Sequence, residues 1–173
     1  AQANSVQQII ASLYEIYLTE QVSDDEEAAL PLMDAQIKNN AAPIKNLGYS
    51  LKAAWLERYL QQHRYEIYQR TELTGKPSAD LATWTLHQFT QAIRDAYRAS
   101  LDQKNILLQT PVDAWNEIII RGENTRHLRS SLYDFLAHRA LDAYRNDEYT
   151  LSTKEEPYPV NDVRFFAPAA DFV

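Results

Sequence analysis

Three residues near the end of the chain have types that do chemistry and a spacing that would let them act together. In LYDFLAHRALDAYRND, Asp134, His138 and Asp142 follow one another at intervals of four. On a helix that interval stacks them in a near-vertical line. Two carboxylates around an imidazole are the ingredients of a metal site or of an acid–base pair. Helix geometry argues against the metal. Ligands one turn apart along a single helix cannot all converge on one ion, and no His-x-x-x-His or Glu-x-x-His elsewhere completes a set. At about 100° per residue, Leu132, Tyr133, Leu136, Ala140, Ala143 and Tyr144 gather on one side of this helix. Asp134, His138, Asp142 and Arg145 fall on the other. The expectation is therefore a polar face turned away from the core of its own domain, with Asp134, His138 and Asp142 forming an interdomain surface.

Other chemistry-bearing groups meet similar tests. His63 lies on an apolar stripe, four residues from both Tyr59 and Ile67. It reads as a core histidine hydrogen-bonded to a neighbour; a general base in a cleft is the competing reading. RYLQQHRYEIYQR interleaves arginines with tyrosines, as single-strand nucleic-acid binders do. Here the tyrosines mostly face inward and Glu57 and Glu66 sit among the bases. SDDEE has acids enough for calcium but lacks the Asp-x-Asp-x-Asp-Gly loop, and reads as a helix cap. No nucleophile elbow, phosphate loop or dinucleotide fingerprint is present. No catalytic, metal-binding or cofactor-binding residue is expected.

The elements that must position these groups read as helices throughout. Val6, Ile9, Ile10, Leu13, Tyr14 and Tyr17 have helical spacing over residues 3 to 20. Ser23 and Glu26 stand in capping-box relation, predicting a second helix to about Asn40, with Pro31 starting a segment or bending it. From Pro43 to about Arg70 the pattern predicts one long helix of roughly 40 Å. Its buried stripe would be Trp55, Leu56, Tyr59, Leu60, His63, Ile67 and Tyr68. Gly75 and Pro77 mark a loop over 71–80. Thr85 and Gln88 form a second capping box, opening a helix to about Leu101. Thr110, Pro111 and Asp113 supply the cap, first-position proline and acid of a short helix ending before Gly122. Ser130 or Ser131 caps the helix that carries the Asp–His–Asp line. The result is an all-α fold of about six helices in a bundle or helical-hairpin array, a helical domain over 1–147 followed by an extended tail or linker over 148–173. The tetrapeptide DAYR recurs at 95–98 and 142–145, an offset near the length of some helical-pair repeats, although shared helix composition is the default explanation.

Composition bounds the function. At 173 residues the chain can bury a core of ordinary domain size. A formal net charge of −7 and a pI near 5.1 disfavour generic binding to nucleic-acid phosphates. Mean hydropathy of −0.49 fits a soluble protein, and no apolar run approaches the roughly 18 residues of a transmembrane helix. With no cysteine, disulfides, thiolate catalysis and Cys-ligated zinc are all excluded within this chain. The opening AQANSVQQ has neither an initiating Met nor a signal segment, so a mature form or an excised piece is expected.

Several phrases, in order, resemble the very large alpha-2-macroglobulin family proteins of Bacteroidetes, upstream of their macroglobulin domains. AAWLERYLQQHRYEIYQRT is similar to an acidic-aromatic helix ending in a Tyr-x-x-Arg-Thr phrase, matched in part by Tyr68, Arg70 and Thr71. Thr83, Trp84 and Leu86 match a Thr-Trp-x-Leu phrase, and Thr110, Pro111 and Asp113 a Thr-Pro-x-Asp helix start. LYDFLAHRALDAYRND is the most specific piece, and FAPAADFV resembles the next stretch of those proteins. The similarity runs from about residue 25 to 173. It implies an N-terminal helical segment of a multidomain envelope protein, periplasmic or outer-membrane-associated, whose relatives are thought to trap or inhibit proteases. The Cys–Gln thioester of many relatives carries over to no residue here, since the chain has no cysteine.

The leading expectation is a non-enzymatic scaffold or docking module. Its partners would be other domains of the same longer chain, with proteases or envelope proteins as further candidates, and neither nucleic acid nor a transmembrane segment. The alternative is a free-standing helical-repeat domain that binds a protein or peptide. A third reading, an enzyme built on His63 or His138, requires a pocket that brings either within hydrogen-bond reach of two carboxylates from other helices.

Overall fold

Helix α1, Gln2–Val22, turns the spacing of Val6, Ile9, Leu13 and Ile16 into one inward face. The computed structural model describes residues 2–70, 77–119 and 128–145, and side chains of α1 from Val6 onward. The tail expected over 148–173, the first part of the 71–80 loop and the stop at Gly122 lie outside the described residues. Within them the fold is all-α: α2 Ala29–Asn39, α3 Ile44–Gln62, α4 Arg64–Gln69, α5 Leu86–Ser100, α6 Lys104–Gln109 and α7 Leu132–Tyr144, with 3-10 turns at Leu81–Thr83 and Val112–Trp115. No strand pairs with another among the described residues beyond one isolated bridge, Pro111 to Ser131.

The antiparallel pair α3 and α5 forms the spine. Buried residues of α3 recur as Leu47, Ser50, Ala53, Leu56 and Leu60, and those of α5 as Phe89, Ile93, Ala96 and Ser100. Each fully buried side chain of the size of Phe89 or Leu56 contributes about 1.5–3 kcal/mol relative to exposure. Aromatic rings thicken one end: Trp55, Tyr59 and Phe89 stack with centroids 5.5 and 5.6 Å apart, and Trp84 tilts onto Phe89 at 5.2 Å. Against α3 packs α2, through Met33 and Ile37. A side chain at Gly48 would place its Cβ 3.0 Å from Ile37 Cγ1, so the missing side chain sets how closely these helices approach.

Two clusters fill the interior. The larger runs from Ile16 and Met33 through Leu56, Leu60, Phe89 and Ile93 to Ala140. The smaller joins Val6, Ile9, Leu47, Leu107, Val112, Trp115, Leu132 and Leu136. Helices α1, α3 and α7 each contribute to both, which ties the two into one body. At the far end of the spine the buried amide of Asn46, on α3, donates to Ser100 O at 3.1 Å and Asp102 O at 2.8 Å, finishing the C-terminus of α5.

Several boundaries differ from those expected. The Ser23–Glu26 capping box does not form. Ser23 Oγ accepts from Asp25 N and Asp25 Oδ1 from Glu27 N, so a tight acidic turn occupies the segment and α2 begins only at Ala29, with Pro31 in its first turn. The long helix expected from Pro43 to Arg70 breaks at His63, whose backbone (φ −100°, ψ 16°) sits in the bridge region between α3 and α4. Tyr68 is thereby exposed rather than part of the buried stripe. Helix α6, not anticipated, follows Gln103 in the left-handed region (φ 57°). Thr110 does not cap the next segment; its hydroxyl donates back to Ile106 O at 2.8 Å, and the residues after Pro111 form a 3-10 turn.

Candidate functional site

The Asp–His–Asp line is present on α7, but its members do different things. Ser131 is the cap. Its hydroxyl accepts from Asp134 N at 3.2 Å, and Asp134 Oδ2 accepts from Ser131 Oγ at 2.7 Å and Ser131 N at 3.1 Å. Those bonds from Ser131, helped by the charge of nearby His138, hold the Asp134 carboxyl below its ordinary value against a small desolvation cost. His138 is half-buried one turn on. Asp142 is exposed at the far end, beside a hollow of about 340 Å³ shared with Glu57, Tyr97 and Arg139. Of the expected interdomain surface, Asp142 is open to solvent, and Asp134 is engaged in starting its own helix.

In that hollow, Tyr97 donates its hydroxyl to Glu57 Oε2 at 2.8 Å. Burial pushes the phenol well above its ordinary range, and the Glu57 charge adds to this, while Arg139 pulls the other way. The pair joins α3 to α5 and is structural in character.

Sequence reasoning did not foresee a wide concavity beside the acidic turn. A cleft of about 540 Å³ lies where the end of α1 meets the 23–28 turn and the α3–α4 break. Glu20 and Gln21 form one wall, Glu26 another, and Trp55, Arg58, Tyr59 and His63 the floor and far side. Glu20 accepts from the Trp55 indole and from Arg58. His63 Nε2 lies 2.7 Å from Glu26 Oε2, and its ring sits 4.4 Å from that of Tyr59. Tyr59 in turn donates to Glu27 at 3.3 Å; burial, and then the Glu27 carboxylate, push its pKa up to about 12. Glu27 also accepts from Leu81 N, and Arg70 donates to Leu81 O and Trp84 O, so the acidic turn, the α3–α4 break and the 81–83 turn hold one another. The expected core histidine is thus a half-buried hinge residue whose ring is shared between an aromatic neighbour and a carboxylate.

An acid–base reading of His63 needs two carboxylates from other helices within hydrogen-bond reach. Only Glu26 is, among the described residues; Glu66, on the adjoining α4, stands 3.9 Å from Nδ1. No group of three His, Cys, Asp or Glu able to hold a metal ion occurs among the described residues. No helix among them is long and apolar enough to cross a membrane.

The wall of the cleft carries a second feature. On α1, Tyr14, Tyr17, Leu18 and Val22 are each more than half exposed. They recur at i, i+3, i+4 and i+8, a continuous stripe on the side opposite Ile9 and Ile16. The spacing of Tyr14 and Tyr17 predicts the helix but not their outward direction, because this helix has apolar residues on two faces. Comparison with family models, with curated proteins and with solved structures returned no match for this chain.

Proposed function

We propose that the chain is a non-enzymatic helical docking module of a larger alpha-2-macroglobulin-like envelope protein. The exposed stripe of α1 supports the docking role, and the family rests on the resemblance of the sequence phrases alone. A soluble helix ordinarily keeps one face apolar; this one presents two tyrosines, a leucine and a valine outward beside a cleft walled by its own Glu20 and Gln21. Tyrosine supplies large contact area at low conformational-entropy cost and is enriched where proteins meet. The carboxylates and histidine around it are occupied with one another, which suits a rigid scaffold. The occupant is a neighbouring domain of the same longer polypeptide, with protease capture performed elsewhere in that assembly.

The test is direct. Tyr17→Asp with Leu18→Asp leaves the helical circular dichroism unchanged and weakens association with the segment encoded beside this one by about tenfold or more. Undiminished association would overturn the docking face. A reading frame encoding no macroglobulin domains would overturn the family assignment while leaving the face to be explained.

A further inference from the structure

Charge is unevenly placed along this chain. Residues 1–37 hold seven carboxylates and no lysine or arginine, the first base being Lys38. The remaining residues carry seventeen acids and seventeen bases, so the whole formal charge of −7 belongs to the first 37. Part of it is met within the fold. Lys52 of α3 pairs with Asp34, Arg58 of α3 pairs with Glu20, and His63 lies against Glu26. Glu27 accepts from Tyr59, and Asp25 accepts from the backbone of the turn. Glu15 and Asp24 are exposed and make no ion pair among the described residues.

These two carboxylates border the apolar stripe of α1. Glu15 precedes Leu18 by three residues and so shares its edge of the helix, and Asp24 lies two residues past Val22, at the end of the stripe. The carbonyl end of α1 is also the negative pole of its dipole, and its last turn contains no base. The acids of the turn precede α2, whose N-terminus favours them; Glu15, in mid-helix, has no such use. A second copy of this face would set like charges against each other, and anionic lipid or nucleic acid would be repelled in the same way. The stripe runs about 12 Å along α1, a length and spacing that the ridges of another helix fit. We infer that the partner of this face is a basic amphipathic helix, its apolar side on Tyr14, Tyr17, Leu18 and Val22 and its lysines or arginines on Glu15 and Asp24. The inference rests on the docking role proposed for α1 and names the chemistry of what docks there.

Three synthetic helices of roughly 18 residues test it, alike in their leucine stripe and flanked by lysine, glutamine or glutamate. Each is titrated into the full chain, with amide chemical shifts locating the contact and giving its dissociation constant. The lysine helix shifts Tyr14, Leu18, Val22 and Asp24 saturably and binds at least about tenfold more tightly than the glutamine helix at about 0.05 M salt. The glutamate helix gives no saturable shift. At about 1 M salt the lysine and glutamine helices converge to within about twofold, because the screening length falls to about 3 Å. Glu15→Gln with Asp24→Asn weakens the lysine helix about fivefold and leaves the glutamine helix unchanged. Tyr17→Ser with Leu18→Ser weakens both. Equal binding of the lysine and glutamine helices at the stripe would overturn the basic partner and leave the docking face standing. The absence of any saturable shift, lysine-helix shifts centred away from α1, or undiminished binding to a folded Glu15→Gln, Asp24→Asn chain would each overturn the inference. Concentration-dependent shifts of the stripe without any peptide, the mark of a second copy seated there, would do the same. The docking role itself keeps its separate test against the neighbouring segment.

Discussion

The same four residues, Asp-Ala-Tyr-Arg, end two helices of this chain in different surroundings. In α5, Tyr97 is 3 % exposed and its hydroxyl is held by Glu57 of α3; in α7, Tyr144 is 45 % exposed and reaches only Arg94 O at 3.4 Å. The alanine before each tyrosine is buried in both. What differs is the neighbour. Tyr97 points along the spine at α3, whereas Tyr144 is the last residue of its helix and nothing among the described residues closes over the ring. The recurrence therefore does not carry an equivalent packing role, and helix identity here is conferred by what lies across from a side chain.

That contrast can be broken by mutation. Tyr97→Ala is expected to cost about 3–5 kcal/mol in urea unfolding and Tyr144→Ala under about 1 kcal/mol; equal losses would show that both tyrosines are core residues. Tyr97→Phe is expected to cost about 1.5–3 kcal/mol, since it removes a hydrogen bond to a carboxylate, while Tyr144→Phe stays within about 0.5 kcal/mol. The same burial makes the fold sensitive to alkali. Tyr97 and Tyr59 both have folded-state pKa values raised above the unfolded phenol value of 10.0. Their stabilisation is complete below about pH 10 and is lost as pH rises toward the folded values, about 12 for Tyr59. Tyrosinate absorbance of these two should therefore appear together with unfolding, and an early, reversible component assigned to Tyr97 would contradict its placement.

The smallest effects separate the two helix starts. Both α5 and α7 begin with a capping box, Thr85 with Gln88 and Ser131 with Asp134. Thr85→Ala and Ser131→Ala should each cost about 1 kcal/mol at neutral pH. Only the second box contains an acid. Because the Asp134 carboxyl is held below its ordinary value, its contribution is present above that value and is lost as pH falls through the folded one. The penalty of Ser131→Ala should shrink in acid and that of Thr85→Ala should not; parallel behaviour would place Asp134 outside the cap.

Where local chemistry decides, the sequence was readable. Thr85 with Gln88 needs only residues three apart, and the structure forms that box as expected. So do the apolar periods of α1, α3, α5 and α7. Ser23 with Glu26 has the same spacing but fails, because Asp25 lies between them and offers its own carboxylate to the backbone first. The break at His63 carries no glycine or proline to announce it. It depends on Glu26 from another segment and on Arg70 reaching the carbonyls of Leu81 and Trp84. The cleft escaped notice for the same reason: its walls come from Glu20, Glu26 and His63, which only the fold brings together. The line of Asp134, His138 and Asp142 does lie on a helix, but the capping duty of Asp134 is hidden in the sequence by its more suggestive neighbours.

Asn46 carries the same lesson into dynamics. Its side chain finishes α5 from a distance of 54 and 56 residues along the chain. Helix ends are normally the first backbone to open, each fraying without regard to any other. Here the first turn of α3 and the last of α5 share one amide, so neither can fray alone. Hydrogen exchange at these two ends should slow to a common rate and follow the opening of the whole helix pair, making what are usually the loosest parts of two helices a single cooperative unit.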